Sequence, residues 1–331
     1  MSIRQRHDAP AAAPAATIAA AERYLPADDL WIVTAHFNPA GFRRRSSHGA
    51  LVRQRLRDSG LRLLTVECAF GDQPFALAPD PDVLQVRARH VLWQKERLLN
   101  LAIASLPAAC TKVAWIDGDV LFENPAWAVE TSRLLDRVAL VQPFTCAVRL
   151  PRDAVVYAGD GHLLPSIAAV LARDPARARM ADYAVHGDTG MAWAARRSLL
   201  AGGLYDACVA GGGDHLIAHA AAGAWNGPCL PRIFGPGEGY RSHFRRWAEP
   251  FHRAVGGAIG VVDGAALHLW HGTAEDRGYV DRHQALQRFG FDPARDLRLG
   301  DAGCWEWASD KPELHAWVAD YFRRRREDGD G

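Results

Sequence analysis

From Asp29 onward the apolar positions fall into runs that read as alternating strands and helices. The segment LWIVTAHF (30–37) is a continuous β-prone run and predicts a strand covered on both faces. Apolar residues at helical spacing in GALVRQRLRDSG (49–60) predict a helix that stops at Gly60. LRLLTVECAF (61–70) reads as a second strand. A long helix is expected over RHVLWQKERLLNLAIASLP (89–107), with Leu92, Lys95, Leu99 and Ile103 marking its faces and Pro107 ending it. KVAWI (112–116) is a third buried strand. This alternation predicts a parallel sheet with helices on both sides.

The pattern continues with strands over VALVQPF (138–144) and TGMAWAA (189–195), and helices over LLPSIAAVLARD (163–174) and DHLIAHAAAGAW (214–225). AIGVVDGAALHLWHG (258–272) reads as a late strand or hairpin, and RGYVDRHQALQRFG (277–290) as an amphipathic helix. SDKPELHAWVADYFRRRRE (309–327) opens on a cap signal, Ser309-Asp310 before Pro312, and closes in a basic run. Neither an internal repeat nor a separating linker is visible. The expected fold class is α/β: one large domain over 27–300, a mobile Ala/Pro-rich leader over 1–26, and a helical extension over 301–331.

Composition narrows the function classes. The chain has 331 residues, of which 49% are hydrophobic, enough for a substantial core. Lysine plus arginine (39) balances aspartate plus glutamate (38), which removes the electrostatic case for a dedicated nucleic-acid or membrane-surface binder. The leader starts basic and runs into alanine, but Pro14 and the lack of leucine before Leu25 make it too weakly apolar for a secretory signal. No run approaches the roughly 20 apolar residues of a membrane span. Cys68, Cys110, Cys146, Cys208, Cys229 and Cys304 show no C-x-x-C spacing and read as reduced core residues. The expected compartment is the cytoplasm.

Candidate chemistry begins at KVAWIDGDVLF (112–122), where a buried strand runs straight into Asp117 and Asp119. Ligands of open parallel sheets bind outside the carboxyl ends of the strands. Residues i and i+2 of an extended segment point the same way, so both carboxylates can face one site. Gly118 between them opens the backbone to a ligand, and a divalent cation would relieve their repulsion. The plain alternative is a loop in which two surface aspartates turn the chain. An EF-hand is excluded, because its fifth and sixth loop positions would be Leu121 and Phe122.

Two enzyme families open with such a pair. A haloacid-dehalogenase-like phosphatase resembles the DGDVL stretch, but places its aspartates near the start of the domain. Over roughly 29–300 the chain resembles the GT-A-fold, metal-dependent, nucleotide-sugar glycosyltransferases of the family-2-like bacterial and phage type. Four stretches in order carry the likeness: TAHFNPAGFRRR (34–45), LWQKERLLNLAI with VAWIDGDVLF (92–122), GDTGMAWAARR to GGGD (187–214), and HLWHG (268–272) followed by RGYVDR.

The resemblance implies a Rossmann-like, mostly parallel sheet and transfer of a sugar from a nucleotide diphosphate to an acceptor hydroxyl with Mn²⁺ or Mg²⁺, a UDP-sugar being the favoured donor. It implies Asp119 as metal ligand, Asp117 as a second metal contact or a ribose contact, and a histidine ligand from HLWHG. His268 and His271 would point to opposite strand faces, so one should reach the metal; His271 is the expected one, because Gly272 follows it and the chain must turn there. Imidazole favours Mn²⁺ over Mg²⁺. Asp214 in GGGD is the expected general base, in competition with a helix-cap role, and Asp188 is the second candidate. That His215 rather than a second acid follows Asp214 leaves the stereochemistry open, with inversion expected. Phe37, Asn38 and Glu67 would hold the nucleobase and ribose, Lys95 would face the diphosphate, and Trp193 would stack on the sugar. Arg277, next to Tyr279, would clamp the diphosphate, and Arg282 would be a surface residue. The acceptor is expected to be a glycan or another hydroxyl compound. The arginine clusters FRRR, HFRRW and FRRRRE, with Phe244 and Trp247, leave a nucleic-acid acceptor as a further reading beside solvated faces. The remaining alternatives are the phosphatase and an inactive nucleotide-sugar or glycan-binding module.

Overall fold

The computed structural model of the protein describes residues 29–179, 183–279 and 281–329; the leader expected over 1–26 lies outside them. In chain order the first strands are β1 (Leu30–Phe37), β2 (Arg62–Phe70), β3 (Val83–Ala88), β4 (Lys112–Ile116), β5 (Val120–Phe122), β6 (Leu140–Gln142) and β7 (Cys146–Arg149). They are followed by β8 (His162–Pro165), β9 (Ala192–Arg196), β10 (Ile259–Val261), β11 (Ala265–His268), β12 (Leu297–Leu299) and β13 (Trp305–Trp307). The first helices are α1 (Arg43–Asp58), α2 (Lys95–Ser105), α3 (Trp127–Leu135), α4 (Ile167–Arg173), α5 (Tyr183–His186) and α6 (Gly213–Ala221). Five more complete the set: α7 (Pro231–Phe234), α8 (Glu238–Val255), α9 (Asp281–Gln287), α10 (Pro293–Asp296) and α11 (Pro312–Arg324).

The central sheet has the order β10-β6-β9-β4-β1-β2-β3. Strands β1 to β4 run parallel, as the alternating pattern predicts, and β9 is inserted antiparallel between β4 and β6. Neighbouring residues along the strands fall into separate cores. Ile32, Ala114 and Ile116 pack on one face, while Val33, Val113 and Trp115 pack on the other. Double-sided burial is why these strands read as unbroken apolar runs. The crossovers change direction between β1 and β4, which puts a ligand crevice at their carboxyl ends. A second sheet, β5-β11-β7-β8, stands beside that crevice.

Several elements depart from the pattern reading. The late strand is neither one strand nor a hairpin. β10 joins the central sheet, whereas β11 pairs with β5 and β7 in the second. Helix α1 starts at Arg43, before the apolar pattern begins. Helix α2 starts only at Lys95, because Trp93 is tied through its backbone N–H to the Val209 carbonyl at 3.0 Å. Strand β3 carries the polar Gln85 and Arg87 and gave no expectation. The 18-residue helix α8 was also missed: it is arginine-rich and contains Pro250, but Tyr240, Phe244, Ala248, Phe251 and Val255 form one buried stripe. Phe244 is fully buried, and Trp247 stacks on Phe251 at 4.5 Å, so the aromatics of HFRRW belong to packing rather than to an acceptor surface. No helix among the described residues is long and apolar enough to cross a membrane.

Candidate active site

The chain does not stay extended after β4. Val120 N–H donates to the Asp117 carbonyl at 3.3 Å, and the Asp117 N–H is held by the Met191 carbonyl at 2.8 Å, which makes 117–120 a turn anchored to the start of β9. Both carboxylates line one cleft, but a turn rather than strand alternation places them there, and it gives them different partners. Asp117 Oδ1 accepts from Lys95 Nζ at 2.9 Å, and the same ammonium donates to Asp214 Oδ2 at 2.5 Å. The first residue of α2 thus bridges the end of β4 to the first turn of α6. Burial alone would lower the Lys95 pKa, but Asp117 and Asp214 outweigh it and hold the ammonium well above its usual range. The positive charge beside Asp117 is therefore a lysine.

Asp119 turns to the other side. Its Oδ2 lies 3.1 Å from His271 Nε2, and its Oδ1 lies 3.9 Å from His268 Nε2. The two Nε2 atoms are 3.2 Å apart, so both histidines converge on Asp119, against the expectation that only His271 would. Strand alternation ends at His268, the last residue of β11, and the chain bends before His271. Ligand atoms of Asp119, His268 and His271 all lie within 4.8 Å of one another. Asp119 Oδ1 is buried without a hydrogen-bond partner among the described residues. The Arg277 guanidinium also reaches His271 Nε2, at 3.2 Å. Glu327 Oε1 lies 3.8 Å from Nδ1 on the other side of the ring. Burial holds both imidazoles well below their usual pKa, and hence neutral.

Helix α6 begins in the glycines of GGGD for steric reasons. Gly212 has φ +94°, and a Cβ there would stand 2.8 Å from His283; one on Gly213 would collide with the Glu96 carboxyl. Asp214 is in the first turn but does not cap the helix; its carboxylate is spent on Lys95. Burial pushes Asp214 up to about 6, with Lys95 pulling the other way. Buried Glu96, at the base of the same contact, is pushed up to about 8. Asp188 is nearly fully buried, accepts from Gly190 N–H at 2.8 Å and pairs with Arg149 at 2.9 Å. A Cβ on Gly190 would lie 3.5 Å from Asp188 and 3.7 Å from Asp214, so this glycine leaves open the space between the two candidate bases.

The four aspartates, Lys95, His268 and His271 line a cleft of about 700 Å³ with His36, Arg45, His48, Trp93, Tyr279 and Glu327. A larger, more open hollow of about 1110 Å³ surrounds Lys112, Arg197 and Tyr205, and lacks this convergence of carboxylates and imidazoles. Other expected residues are engaged elsewhere. Glu67 is buried and accepts from the Ala76 and Leu77 N–H groups. Asn38 closes the turn into α1 through Phe42, at 2.8 and 2.9 Å. Phe37 packs edge-on against Trp93 at 5.3 Å. Trp193 is a core residue whose indole N–H donates to the Thr189 carbonyl at 2.9 Å. Arg282, expected on the surface, is buried, and donates to Tyr321 at 2.9 Å. Of the terminal basic run, Arg323, Arg324 and Arg326 are exposed, whereas Arg325 turns inward, bonds Glu327 at 2.6 Å and lies 5.1 Å over Trp93. Trp93, just before α2, and Glu327, just after α11, also reach the cleft, although neither was singled out within LWQKERLLNLAI or FRRRRE.

A scan against protein-family models finds no match, and a search of curated proteins finds none. Solved structures give distant likenesses. Glucosyl-3-phosphoglycerate synthase of Mycobacterium tuberculosis is 14% identical over 87% of this chain and 91% of its own, with a TM-score of 0.37. Mannosyl-3-phosphoglycerate synthase of Rubrobacter xylanophilus is 11% identical over 85% of both chains, again at 0.37. The 4-diphosphocytidyl-2C-methyl-D-erythritol synthase of Anaerococcus prevotii is 11% identical over 77% of this chain and 96% of its own, at 0.34. Likenesses at this level leave the functional reading to the site itself.

Proposed function

We propose that the protein is a metal-dependent glycosyltransferase, which moves a sugar from a nucleotide-diphosphate sugar to an acceptor hydroxyl. The observation that carries this reading is the convergence of Asp119, His268 and His271 at the carboxyl end of β4, beside an acid pair, Asp117 and Asp214, held on one buried lysine. The first group fits a divalent cation: a buried carboxylate oxygen without a partner, and two neutral imidazoles with Nε2 toward it. Two nitrogen ligands favour Mn²⁺ over Mg²⁺. When bound, the ion would supply Lewis-acid stabilisation of the departing diphosphate. Asp117, fixed by Lys95, is better suited to the ribose or a metal-bound water than to direct ligation. Tyr279 lines the same cleft, and the buried Arg277 beneath its ring, bonded to His271, is the arginine that would turn to a phosphate.

In the reaction the acceptor oxygen bonds to the anomeric carbon. The sugar–phosphate bond breaks, and its electron pair leaves on the nucleoside diphosphate. The acceptor proton passes to Asp214, whose raised pKa makes it a better base than an ordinary aspartate, and the configuration inverts. Asp188, tied to Arg149 and Gly190, positions the opposite wall. A UDP-sugar is the first donor to try and a glycan the first acceptor class.

The test is a screen of UDP-, GDP- and dTDP-sugars with Mn²⁺, reading released nucleoside diphosphate. Release abolished by EDTA and by Asp119→Ala is the expected result. Absence of both turnover and metal-dependent donor binding across the panel would overturn the reading. Phosphomonoester cleavage that depends on Asp117 would instead favour the phosphatase.

A further inference from the structure

Next to Asp214, on a wall of the same cleft, is a second group of metal-ligating side chains that the proposed reaction does not use. His215 and His219 are one turn apart on α6 and share a face. Cys229 comes from the loop before α7, and His186 ends α5, two residues before Asp188. Cys229 Sγ lies 3.3 Å from His215 Nε2 and 3.2 Å from His219 Nε2. One ligand atom from each of the four residues lies within 4.8 Å of the other three. Rings of His215 and His219 are 4.4 Å apart, and that of His186 is 5.2 Å from each.

We propose that His186, His215, His219 and Cys229 form a closed transition-metal site of the zinc class, separate from the Asp119 group. Tetrahedral zinc with Zn–N of about 2.0–2.1 Å and Zn–S of about 2.3 Å sets its ligand atoms about 3.3–3.6 Å apart. Both sulfur–nitrogen separations are already near that range. The ring orientation of His186 also fits. Its Nδ1 lies 3.0 Å from the Gly187 carbonyl, which can only accept, so Nδ1 carries the proton and Nε2 the lone pair. Gly227 is part of the construction: a Cβ there would stand 2.9 Å from the Ala224 carbonyl and 3.3 Å from His219 Nδ1, so only glycine lets this loop fold over the ring. His186 and His219 are fully buried and Cys229 nearly so.

Three imidazoles and one thiolate form a soft, nitrogen-rich set that selects zinc-like ions over Mg²⁺ or Mn²⁺. Four protein ligands leave no open position for substrate, so the site is structural. On binding, the Cys229 thiol loses its proton to solvent and the sulfur becomes the anionic ligand. The metal would tie α5 to α6 and the loop after it, and these segments carry Asp188 and Asp214.

The experiment uses the full chain with any affinity tag removed. The protein is dialysed against metal-free buffer, assayed for metal by mass spectrometry, then stripped and titrated with Co²⁺. The expected result is one tightly held equivalent and a thiolate-to-cobalt charge-transfer band, retained in Asp119→Ala and lost in Cys229→Ala and His219→Ala. If those two variants do not fold, mass-mapped alkylation of the wild-type protein replaces them. Bound zinc or cobalt should then protect Cys229 at least tenfold over the stripped protein. Absence of a thiolate–cobalt band in the wild-type protein overturns the proposal, as does a band that survives Cys229→Ala or a Cys229 that metal leaves unprotected. None of these readouts depends on sugar transfer, so the two proposals fail separately.

Discussion

Replacing Lys95 with methionine removes the only cation bonded to both Asp117 and Asp214 among the described residues, at nearly constant side-chain volume. Two unit charges about 4 Å apart at an effective dielectric constant of about 20 interact by about 4 kcal/mol, or about three pH units on the partner's pKa. The Asp214 side chain keeps 21% exposure, so water screens part of this and about two units remain. Asp214 starts at about 6 and should therefore move to about 8. At pH 7 the ionised fraction would fall from about nine-tenths to about one-tenth, roughly a tenfold loss of base. Losing one partner of a buried pair should also destabilise the fold by about 3–5 kcal/mol, toward the low end because Asp214 keeps some exposure. The assay is kcat against pH at saturating donor and Mn²⁺, on protein whose folded fraction is checked by circular dichroism. An acidic limb near 6 in the wild-type protein that moves to near 8 is the expected outcome. A limb that stays put while kcat falls evenly at all pH values would refute Asp214 as the titrating base and leave Lys95 a role in donor binding.

Glu96→Gln tests the buried acid beside it. Because the folded-state pKa is raised from 4.5 to about 8, the native state holds this proton more tightly than the unfolded chain, and stability falls as pH rises from about 4.5 to about 8. Glutamine removes that slope, so urea melts at pH 8 should show the variant gaining about 2–4 kcal/mol on the wild type relative to pH 5. His268→Ala and His271→Ala should each weaken Mn²⁺ binding at least tenfold by calorimetry; an unchanged affinity in both would remove the histidines from the metal site. Trp193→Phe should lower stability by about 1 kcal/mol through its bond to Thr189 and leave the donor KM unchanged, whereas a raised KM would restore the sugar-stacking role. Phe244→Ala should cost about 3–5 kcal/mol in a urea melt, since this fully buried ring sits in the stripe of α8.

Strands β1, β2 and β4 were legible because burial on both faces leaves an apolar run that needs no partner to be recognised. Strand β3 and helix α8 were not, for opposite reasons. At the sheet edge β3 keeps Gln85 and Arg87, so its composition is that of a loop. In α8 the basic polar face and Pro250 mask the stripe from Tyr240 to Val255, although its helical spacing is present in the sequence. The split of 258–272 into two sheets depends on where β5 and β7 end up in space, and no local pattern encodes that.

At the site, residue type was legible and direction was not. The two-residue alternation rule holds only while the chain is extended, and it was applied across two turns. At Asp117–Asp119 the bend sends one carboxylate to Lys95 and the other to His271; after His268 it brings a second imidazole back to the same carboxylate. Both errors have one cause: a strand that delivers a side chain to a crevice ends there, so the rule fails where function begins. Glu67 and Trp193 show the converse. They lie inside β2 and β9, where alternation holds, and a residue still within a central strand is held by its sheet neighbours and core. On this argument the positions to trust as ligand contacts are those just past a strand end or in the first turn of a helix, which is where Asp119, His271, Lys95 and Asp214 are found.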